Sequence, residues 1–483
     1  IIAEVLVGRR FVMRFEAPRA TWVWVLLVIA LALGERVAVA TMTFFGGPAI
    51  FAAGGVLPLQ APLRMNKLLS RLTGRPRMAD PLVGAAGALT AARIPAGIDP
   101  GAVRFTRRPD IVIALIESLR SDFLDTATMP RLARRAEGGA VFSRHYASAT
   151  STHYSLFSLF FGLQSQKLDA VVGAGRSPLL FDVVKANGYA VRILAASSVD
   201  WMGLKQTVFG AVQNDLESDF RGDRDERDAA MLASARRFVE RTAGQPVFLF
   251  LFFDGTHFNY YFPERSARFD PYWDGGGSIE ATRVAPELLE RRARNSAYEV
   301  DWKLDEFLEW FEARRGRRPL VIVTGDHGEE FREQGHVGHG SDVTEQQVHV
   351  PMVLLDSAVA PARRDEPTSH VDVLPTLLSL LGDRHPPASY SDGVPMLAAP
   401  PNRFVLTSVG WEPRFAVIGP DLKVTFAGLE GGFHAARLTD PCDGPLADAE
   451  ARFRAAAVNI LRAFRGEPPI PPAGAAPAPF TCP

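Results

Sequence analysis

Apolar residues after Pro109 recur in five mostly unbroken runs of strand length. These runs are IVIALI at 111–116, AVRILAA at 190–196, VFLFLFF at 247–253, LVIVT at 320–324 and VPMVLL at 350–355. Stretches with a helical pattern, such as 226–244 and 287–316, lie between them. Strands that are apolar on every residue are buried on both faces, so we expect a mostly parallel sheet with helices on either side. The fold class is therefore α/β over residues 109–400.

The pattern beyond this domain changes from unbroken to alternating. RFAVIGPDLKVTFAGLEGG at 414–432 reads as an antiparallel hairpin with its turn at Gly419-Pro420-Asp421, which predicts a small C-terminal strand pair. Flanking segments rich in Pro, Gly and Ala favour linkers over packed cores. We expect a membrane segment at 1–45, a juxtamembrane linker at 46–108 with short helices such as RMNKLLSRL, the α/β domain at 109–400, a strand and helix subdomain at 401–465 and a Pro/Ala-rich tail at 466–483.

The N-terminal segment carries a membrane signal. The run ATWVWVLLVIALALG between Arg19 and Glu35 is shorter than the roughly 20 residues that a bilayer crossing needs, which by itself permits a buried core helix. Trp22 and Trp24 near its start, together with the arginines that precede it, favour a transmembrane helix with its N-terminal side in the cytoplasm. Since the first residue is Ile1 rather than Met, we also expect segments upstream of it.

Charge and cysteine content narrow the class of protein. Lys and Arg total 53 against 54 Asp and Glu, so there is no basic excess of the kind that marks a nucleic-acid-binding protein. The chain has two cysteines, Cys442 and Cys482. An extracytoplasmic location would permit a disulfide between them, and two free thiols are the alternative.

Carboxylate and imidazole side chains follow three of the predicted strands. Glu117 follows the first run, His257 lies just beyond the third, and Asp326-His327 follows the fourth. Ligands of α/β sheets gather at the carboxyl ends of the strands, so these side chains predict a metal site at that edge. Alone, Glu117 reads equally well as a helix cap and His257 as a surface histidine, whereas Asp326-His327 in a Gly-flanked loop has no packing role.

A metal at this edge would need a nucleophile near it. Bound metals polarise phosphoryl oxygens and turn a poor nucleophile such as a hydroxyl into an alkoxide. ASATSTHYSLFSLFFGL at 147–163 offers hydroxyls at the start of an amphipathic helix, whose N-terminus also attracts anions. Thr150, Ser151 and Thr152 are all ordinary N-cap residues as well, and composition does not choose among them.

The motifs taken in chain order resemble a known family. Glu117 after a buried strand is followed by TSTHYS, GTHFNYY, GDHGE, GHG, QVHVPMVLL and HVDVLPTLLSLLG. This series resembles the sulfatase-fold branch of the alkaline-phosphatase superfamily over residues 109–400, and within it the YejM-like inner-membrane proteins. Phosphoethanolamine and lipoteichoic-acid transferases are its enzymatic relatives. The resemblance implies a bacterial inner-membrane protein with a periplasmic catalytic domain.

The resemblance also implies roles for individual residues. Glu117, Thr152, Asp326 and His327 would hold one divalent metal, and Thr152 would double as the nucleophile. His257 matches the phosphate-contacting histidine of the transferases and His339 the histidine of their HG loop, and both would be catalytic, while His336 has no counterpart. A nitrogen ligand favours zinc or manganese, with magnesium possible.

One departure from the family pattern bears on the chemistry. Sulfatases carry C/S-x-P/A-x-R, whereas this chain has THYSL at 152–156, so sulfate-ester hydrolysis is not expected. We expect a membrane-anchored, metal-dependent hydrolase or transferase of phosphate esters, acting on a phosphodiester or on a phospholipid or lipid A headgroup. The alternative is a non-catalytic regulator of envelope lipid and lipopolysaccharide homeostasis that binds lipid and a membrane partner. Its lipid contacts would come from a basic run with members Arg64, Lys67, Arg71, Arg75 and Arg77.

Overall fold

The structure is a computed structural model that describes residues 19–44, 72, 94–197, 199–200, 203–412, 414–427, 436–470 and 482. It contains two compact units, residues 1–88 and 89–483. Apart from Leu72, the predicted RMNKLLSRL helix and its basic run lie outside the described residues, as do most of the Pro/Ala-rich tail and His434.

The first unit contains helix α1, Arg19–Phe44, with 26 residues. Several of its large apolar side chains are exposed, including Trp22 and Trp24. A search of the described residues finds no helix with the length and apolar character needed to span a bilayer. The predicted transmembrane helix is therefore not supported, and the physical reason is that Glu35 and Arg36 interrupt the apolar run before it reaches roughly 20 residues.

The second unit is built from short strands and helices in alternation. In chain order, strands β1 to β17 of the described residues are Ile111–Ile116, Ala140–Phe142, His145–Tyr146, Ala190–Ala195, Leu216–Glu217, Val247–Phe253, Leu320–Gly325, Glu330–Phe331, Val337–Gly338, His349–Val350, Met352–Leu355, Ala362–Arg364, Thr368–Ser369, Val405–Ser408, Arg414–Ile418, Lys423–Ala427 and Arg437–Thr439. Helices α2 to α11 are Pro130–Ala136, Thr152–Phe161, Leu168–Gly173, Leu179–Ala186, Arg224–Arg241, Ser278–Ala281, Pro286–Arg315, Glu345–Val348, Val373–Leu380 and Ala449–Phe464.

Eight strands form the central sheet, in the order β12-β2-β11-β7-β1-β6-β4-β5. Neighbours run parallel except for β11, which is antiparallel to both β7 and β2, so the expected mostly parallel sheet is confirmed. The unbroken apolar pattern of β1 explains its central place, because Ile111, Ile113 and Leu115 enter the core on one face. The residues between them enter the core on the opposite face.

Helices cover both faces of this sheet. Side chains of α3 and α5 belong to one core, and those of α6 and α8 belong to the other. Helix α6 begins with a capping box, in which Asp223 accepts a hydrogen bond from the backbone N–H of Glu226 at 2.9 Å and the Glu226 side chain accepts one from Asp223. Layers of helix on both sides leave the ends of the strands as the open edges where a site can form.

The last predicted apolar run divides at Pro351. Its first part, β10, joins β3 and β13 in a small sheet, and its second part, β11, joins the central sheet. Proline has no N–H to donate, so the break falls where a continuous ladder would need that donor. The other four predicted runs match β1, β4, β6 and β7 to within one residue at either end.

The C-terminal region forms an antiparallel sheet of four strands in the order β14-β15-β16-β17. The predicted hairpin is its centre, since Ile418 pairs with Lys423 across the Gly-Pro-Asp turn. The predicted pair is thus part of a larger sheet, because the short strands β14 and β17 have too few residues to show an alternating pattern. Cys442 and Cys482 form a disulfide, with their Cα atoms 5.5 Å apart, which decides between the two alternatives for the cysteines.

Candidate active site

Three strands deliver polar side chains to one edge of the central sheet. Ile116 at the end of β1 pairs with Phe253 of β6 on one side and with Gly325 of β7 on the other. The residues that follow these three therefore emerge side by side. This register brings Glu117 and the Asp326-His327 pair to the same edge, as the sequence pattern predicted.

Thr152 reaches this edge from the first turn of α3. Its hydroxyl donates a hydrogen bond to Glu117 Oε1 at 3.1 Å and lies 3.2 Å from His327 Nε2. Ser151 instead donates its hydroxyl to the Val409 carbonyl at 3.1 Å. Among the three hydroxyl residues that open the helix, the helix register thus brings Thr152 to the carboxylates and turns Ser151 towards the C-terminal sheet.

Helix α3 differs from the expected amphipathic helix, because it is buried on nearly all sides, and Gly162 ends it. This glycine has φ of 65°, and a Cβ there would lie 2.8 Å from Ser391 Oγ and 2.9 Å from Leu374 Cδ2. Both the left-handed backbone and the close contact require glycine. Gly162 therefore fixes the far end of the helix that presents Thr152.

Backbone groups orient Asp326 and His327. Asp326 Oδ1 accepts hydrogen bonds from the backbone N–H groups of Ser118 and His327, both at 2.9 Å. His327 Nδ1 donates to the Gly328 carbonyl at 3.0 Å. A carbonyl only accepts, so Nδ1 carries the hydrogen and the lone pair of His327 lies on Nε2, the nitrogen that faces Thr152.

A second set of side chains lies beside Asp326 and His327. His339 Nδ1 is 2.6 Å from Glu329 Oε2, and the Tyr260 hydroxyl donates to Glu329 Oε1 at 2.8 Å. The His339 ring lies close to two other imidazoles, with ring centroids 4.1 Å from His327 and 5.6 Å from His257. Three imidazoles therefore line one side of the site.

The carboxylates of the site are buried together. Burial, and next the charge of Asp326, raises the pKa of Glu117 well above its ordinary value. Burial likewise raises the pKa of Asp326. Among the described residues, no lysine or arginine forms an ion pair with either of them. The charges of Arg224 and His339 offset the effect of burial on Glu117 and Asp326 only in part. A bound cation would supply the remaining counter-charge.

The histidines of the site differ in protonation. Burial lowers the pKa of His327 well below its ordinary value, and it lowers the pKa of His257 to about 4, so both are neutral at pH 7. Burial acts the same way on His339, but the neighbouring Glu329 carboxylate outweighs it and the pKa of His339 is raised. His339 is thus the imidazole of this set that most readily carries a positive charge.

The donor atoms fit a small divalent ion. Atoms that share one tetrahedral ion at about 2.0–2.2 Å lie roughly 3.3–3.6 Å apart. Around His327 Nε2, the distances are 3.1 Å to Asp326 Oδ2, 3.2 Å to Thr152 Oγ1 and 3.6 Å to Glu117 Oε1. Within the described part of the chain, Asp326 Oδ2 is buried and has no hydrogen-bond partner. The four residues that the resemblance implied as ligands therefore converge on one point.

The structure adds His339 to the possible ligands. Glu117, His327 and His339 each place one ligand atom within 4.8 Å of the other two. His336 lies at the edge of the site, where its ring is half exposed and 3.9 Å from Asp342. The sequence analysis missed Glu329 and Tyr260. Glu329 directly follows the Asp-His-Gly motif, and that position was the available signal.

The family of this chain is identified by a match to a protein-family model. The Sulfatase family model matches residues 109–383, which is more than half of the chain. The chain belongs to the sulfatase family. This sulfatase-family chain is similar to the inner membrane protein YejM of Salmonella typhimurium, with 25% identity over 282 residues that cover 56% of this chain and 42% of YejM. It spans less than half the length of the curated relatives that it matches.

Solved structures show the same fold at low identity. A protein in the alkaline phosphatase superfamily from Vibrio parahaemolyticus is 18% identical with a TM-score of 0.53, covering 79% of this chain and 94% of that chain. The phosphonate monoester hydrolase of Agrobacterium radiobacter is 16% identical with a TM-score of 0.54, covering 74% of this chain and 96% of that one. These likenesses confirm the alkaline-phosphatase and sulfatase type of α/β fold.

Proposed function

We propose that this sulfatase-family chain is a metal-dependent hydrolase or transferase of phosphate esters with Thr152 as its nucleophile. The contact that carries the proposal is the position of Thr152 Oγ1 between Glu117 Oε1 at 3.1 Å and His327 Nε2 at 3.2 Å. A hydroxyl that lies among buried carboxylates and a neutral imidazole would share the cation that these groups bind. The cation would lower the pKa of the hydroxyl. No other hydroxyl at the start of α3 has an observed contact with these groups.

We assign the metal to Glu117, Thr152, Asp326 and His327. The mixture of carboxylate, hydroxyl and imidazole donors favours zinc or manganese, with magnesium possible. When bound, such an ion polarises a phosphoryl oxygen and lowers the pKa of a coordinated hydroxyl. The raised pKa values of the metal-free Glu117 and Asp326 support a site that is complete only with a cation.

The reaction we propose is a double displacement. The Thr152 oxygen forms a bond to phosphorus, its proton passes to solvent, and the bond from phosphorus to the alcohol of the substrate breaks. His339 stabilises the negative charge that develops on the phosphoryl oxygens, and His257 does so in its protonated form, while the departing alkoxide takes a proton. Water or a second alcohol then attacks the phosphothreonine and releases Thr152.

The proposed substrate class rests on the resemblance of the sequence motifs to those of phosphoethanolamine transferases and on the absence of the sulfatase motif at 152–156. The proposed substrates are phosphodiesters and the headgroups of phospholipids or of lipid A. Similarity to an inner membrane protein supports a place at the bacterial inner membrane, with the catalytic domain on the periplasmic side. The disulfide between Cys442 and Cys482 also favours an oxidising compartment. Alkylation of free thiols in intact cells, with and without reductant, would test this location.

The first test measures turnover of bis-p-nitrophenyl phosphate and p-nitrophenyl phosphate by the full chain, loaded separately with zinc, manganese and magnesium. We expect turnover with at least one ion, and its loss in Thr152→Ala. The matched control is Ser151→Ala, which removes the neighbouring hydroxyl and keeps Thr152. A folded, metal-loaded wild type that cleaves neither ester would contradict catalysis and favour the non-catalytic, lipid-binding regulator.

A further inference from the structure

Glu329 connects two loops next to the site. Its side chain is buried, and each carboxylate oxygen has its own partner. Oε2 lies 2.6 Å from His339 Nδ1, ten residues further along the chain, and Oε1 accepts the Tyr260 hydroxyl at 2.8 Å, 69 residues back. A carboxylate engaged at both oxygens cannot rotate freely, so Glu329 holds one position between the two loops.

The contact with Glu329 determines which His339 nitrogen remains available. A carboxylate accepts hydrogen bonds, so His339 Nδ1 carries the hydrogen of this contact. The ring then presents Nε2 to any further partner. The His339 side chain keeps 20% of its surface exposed, whereas that of His327 is fully buried, so His339 is the more accessible of these two rings to a group that enters from solvent.

We propose that Tyr260 and Glu329 form a positioning relay that holds His339 in one rotamer, with Nδ1 towards Glu329 and Nε2 towards the reacting phosphoryl group. The proposal rests on the proposed function, because the group that His339 faces is the phosphoryl of that reaction. Tyr260 and Glu329 do not touch the substrate and act through His339. An imidazole held in place before the substrate arrives loses no orientation freedom during the reaction.

The surroundings of Tyr260 support a fixed relay. Its ring is buried between Phe258 and Phe331, with centroids at 5.7 Å and 5.9 Å. Its backbone has φ of 55°, a left-handed value that a residue with a side chain rarely adopts. Residues kept in such conformations are common at functional sites, where the surrounding packing enforces them. Packing of the ring thus fixes the direction of the Tyr260 hydroxyl independently of its hydrogen bond to Glu329.

The test is a double-mutant cycle on kcat/KM with bis-p-nitrophenyl phosphate. Glu329→Gln keeps the shape of the side chain and removes its charge, and we expect kcat/KM to fall about 10–100-fold. In the His339→Ala background, the same substitution should have no further effect, because the residue through which it acts is gone. An equal loss in both backgrounds would overturn the relay.

The matched control is Glu330→Gln. Glu330 is also buried and next in the chain, but its oxygens accept from the Gln334 and His336 N–H groups, the Thr344 hydroxyl and the Gln347 amide. Glu330→Gln should change kcat/KM by the same factor in the wild-type background and in the His339→Ala background. Coupling of Glu330 to His339 as strong as that of Glu329 would show that the cycle reports general destabilisation, which contradicts the relay.

A spectroscopic measurement tests the contact without turnover. An imidazole N–H held by a carboxylate gives a downfield proton signal. His349 and His385 have such contacts as well, so the His339 signal is identified as the one that is present in the wild type and lost in His339→Ala. In Glu329→Gln the signal should move upfield, and an unchanged signal would contradict the contact. A folded, metal-loaded wild type without turnover would refute the proposed function itself, whereas turnover combined with an additive cycle would refute only the relay.

Discussion

Asp110 and Glu117 lie at the two ends of strand β1, and both are buried. Asp110 accepts hydrogen bonds from the backbone N–H of Val247 at 2.9 Å, from Arg315 at 2.7 Å and 3.0 Å and from Arg317 at 2.8 Å. Burial alone would raise the pKa of Asp110, but the two guanidinium groups outweigh it and the pKa is lowered. At the other end, burial and Asp326 raise the pKa of Glu117.

The contrast separates a structural carboxylate from one available for a ligand. At the Asp110 end, the protein supplies its own cations and the charge is neutralised on folding. At the Glu117 end, two carboxylates lie together and the described residues supply no lysine or arginine ion pair, so the folded protein keeps an arrangement that is costly until a cation binds. Burial of a carboxylate therefore does not by itself show whether the carboxylate is structural or available for a ligand. The source of its counter-charge distinguishes the two cases.

The largest effect on stability is expected from Asp110→Ala. The substitution leaves the buried Arg315 guanidinium with backbone carbonyl partners and no carboxylate, so we expect the free energy of unfolding to fall by about 3–5 kcal/mol. Urea unfolding of the full chain measures this change. Asp169→Ala, which removes an exposed carboxylate, is the control and should change stability by less than about 0.5 kcal/mol. The comparison would be wrong if Asp110→Ala were no more destabilising than Asp169→Ala.

Glu117→Gln should lower activity without lowering stability, in contrast to Asp110→Ala. It removes a proposed metal ligand, so kcat/KM should fall by more than about 100-fold, the upper range for loss of a residue that only supports a ligand. The metal-free protein should not lose stability, because one of two repelling buried charges is gone. Turnover and urea unfolding are measured on the same preparation. A Glu117→Gln protein that unfolds as easily as Asp110→Ala would remove the distinction between the two ends.

The central sheet, and the edge at which most of the candidate site residues meet, could be predicted from the sequence because both depend on simple rules. Strands buried on two faces must be apolar throughout, and the register of parallel strands brings the residues after them together. The contact of Glu329 with Tyr260 could not be predicted, because it depends on how two loops 69 residues apart fold over the edge. The choice of Thr152 over its neighbours likewise needed either the family resemblance or the helix register, since all three are good N-cap residues.

A metal ion that binds at the Glu117 end of strand β1 should stabilise the folded protein, and the Asp110 end should not contribute to this effect. With metal at ten times its Kd, the free energy of unfolding should rise by about 1.4 kcal/mol in the wild type, because the ion binds the folded state. The same increase is expected for Asp169→Ala. Glu117→Gln should show a smaller increase or none at that metal concentration. An equal increase in Glu117→Gln would mean that the ion binds elsewhere in the chain.

The smallest effects are expected from two buried tyrosines, one near each end of strand β1. The Tyr189 hydroxyl donates to the Pro109 carbonyl at 2.8 Å, beside Asp110, and the Tyr260 hydroxyl donates to Glu329 at the same distance. Replacing either by Phe removes one hydrogen bond, which is buried for Tyr260 and partly buried for Tyr189, so each variant should lose about 1 kcal/mol of stability. Tyr260→Phe should also lower kcat/KM about tenfold through His339, whereas Tyr189→Phe should leave it unchanged. Equal kinetic losses in the two variants would mean that Tyr260 matters for folding only, since both substitutions remove a phenol hydroxyl from a buried tyrosine.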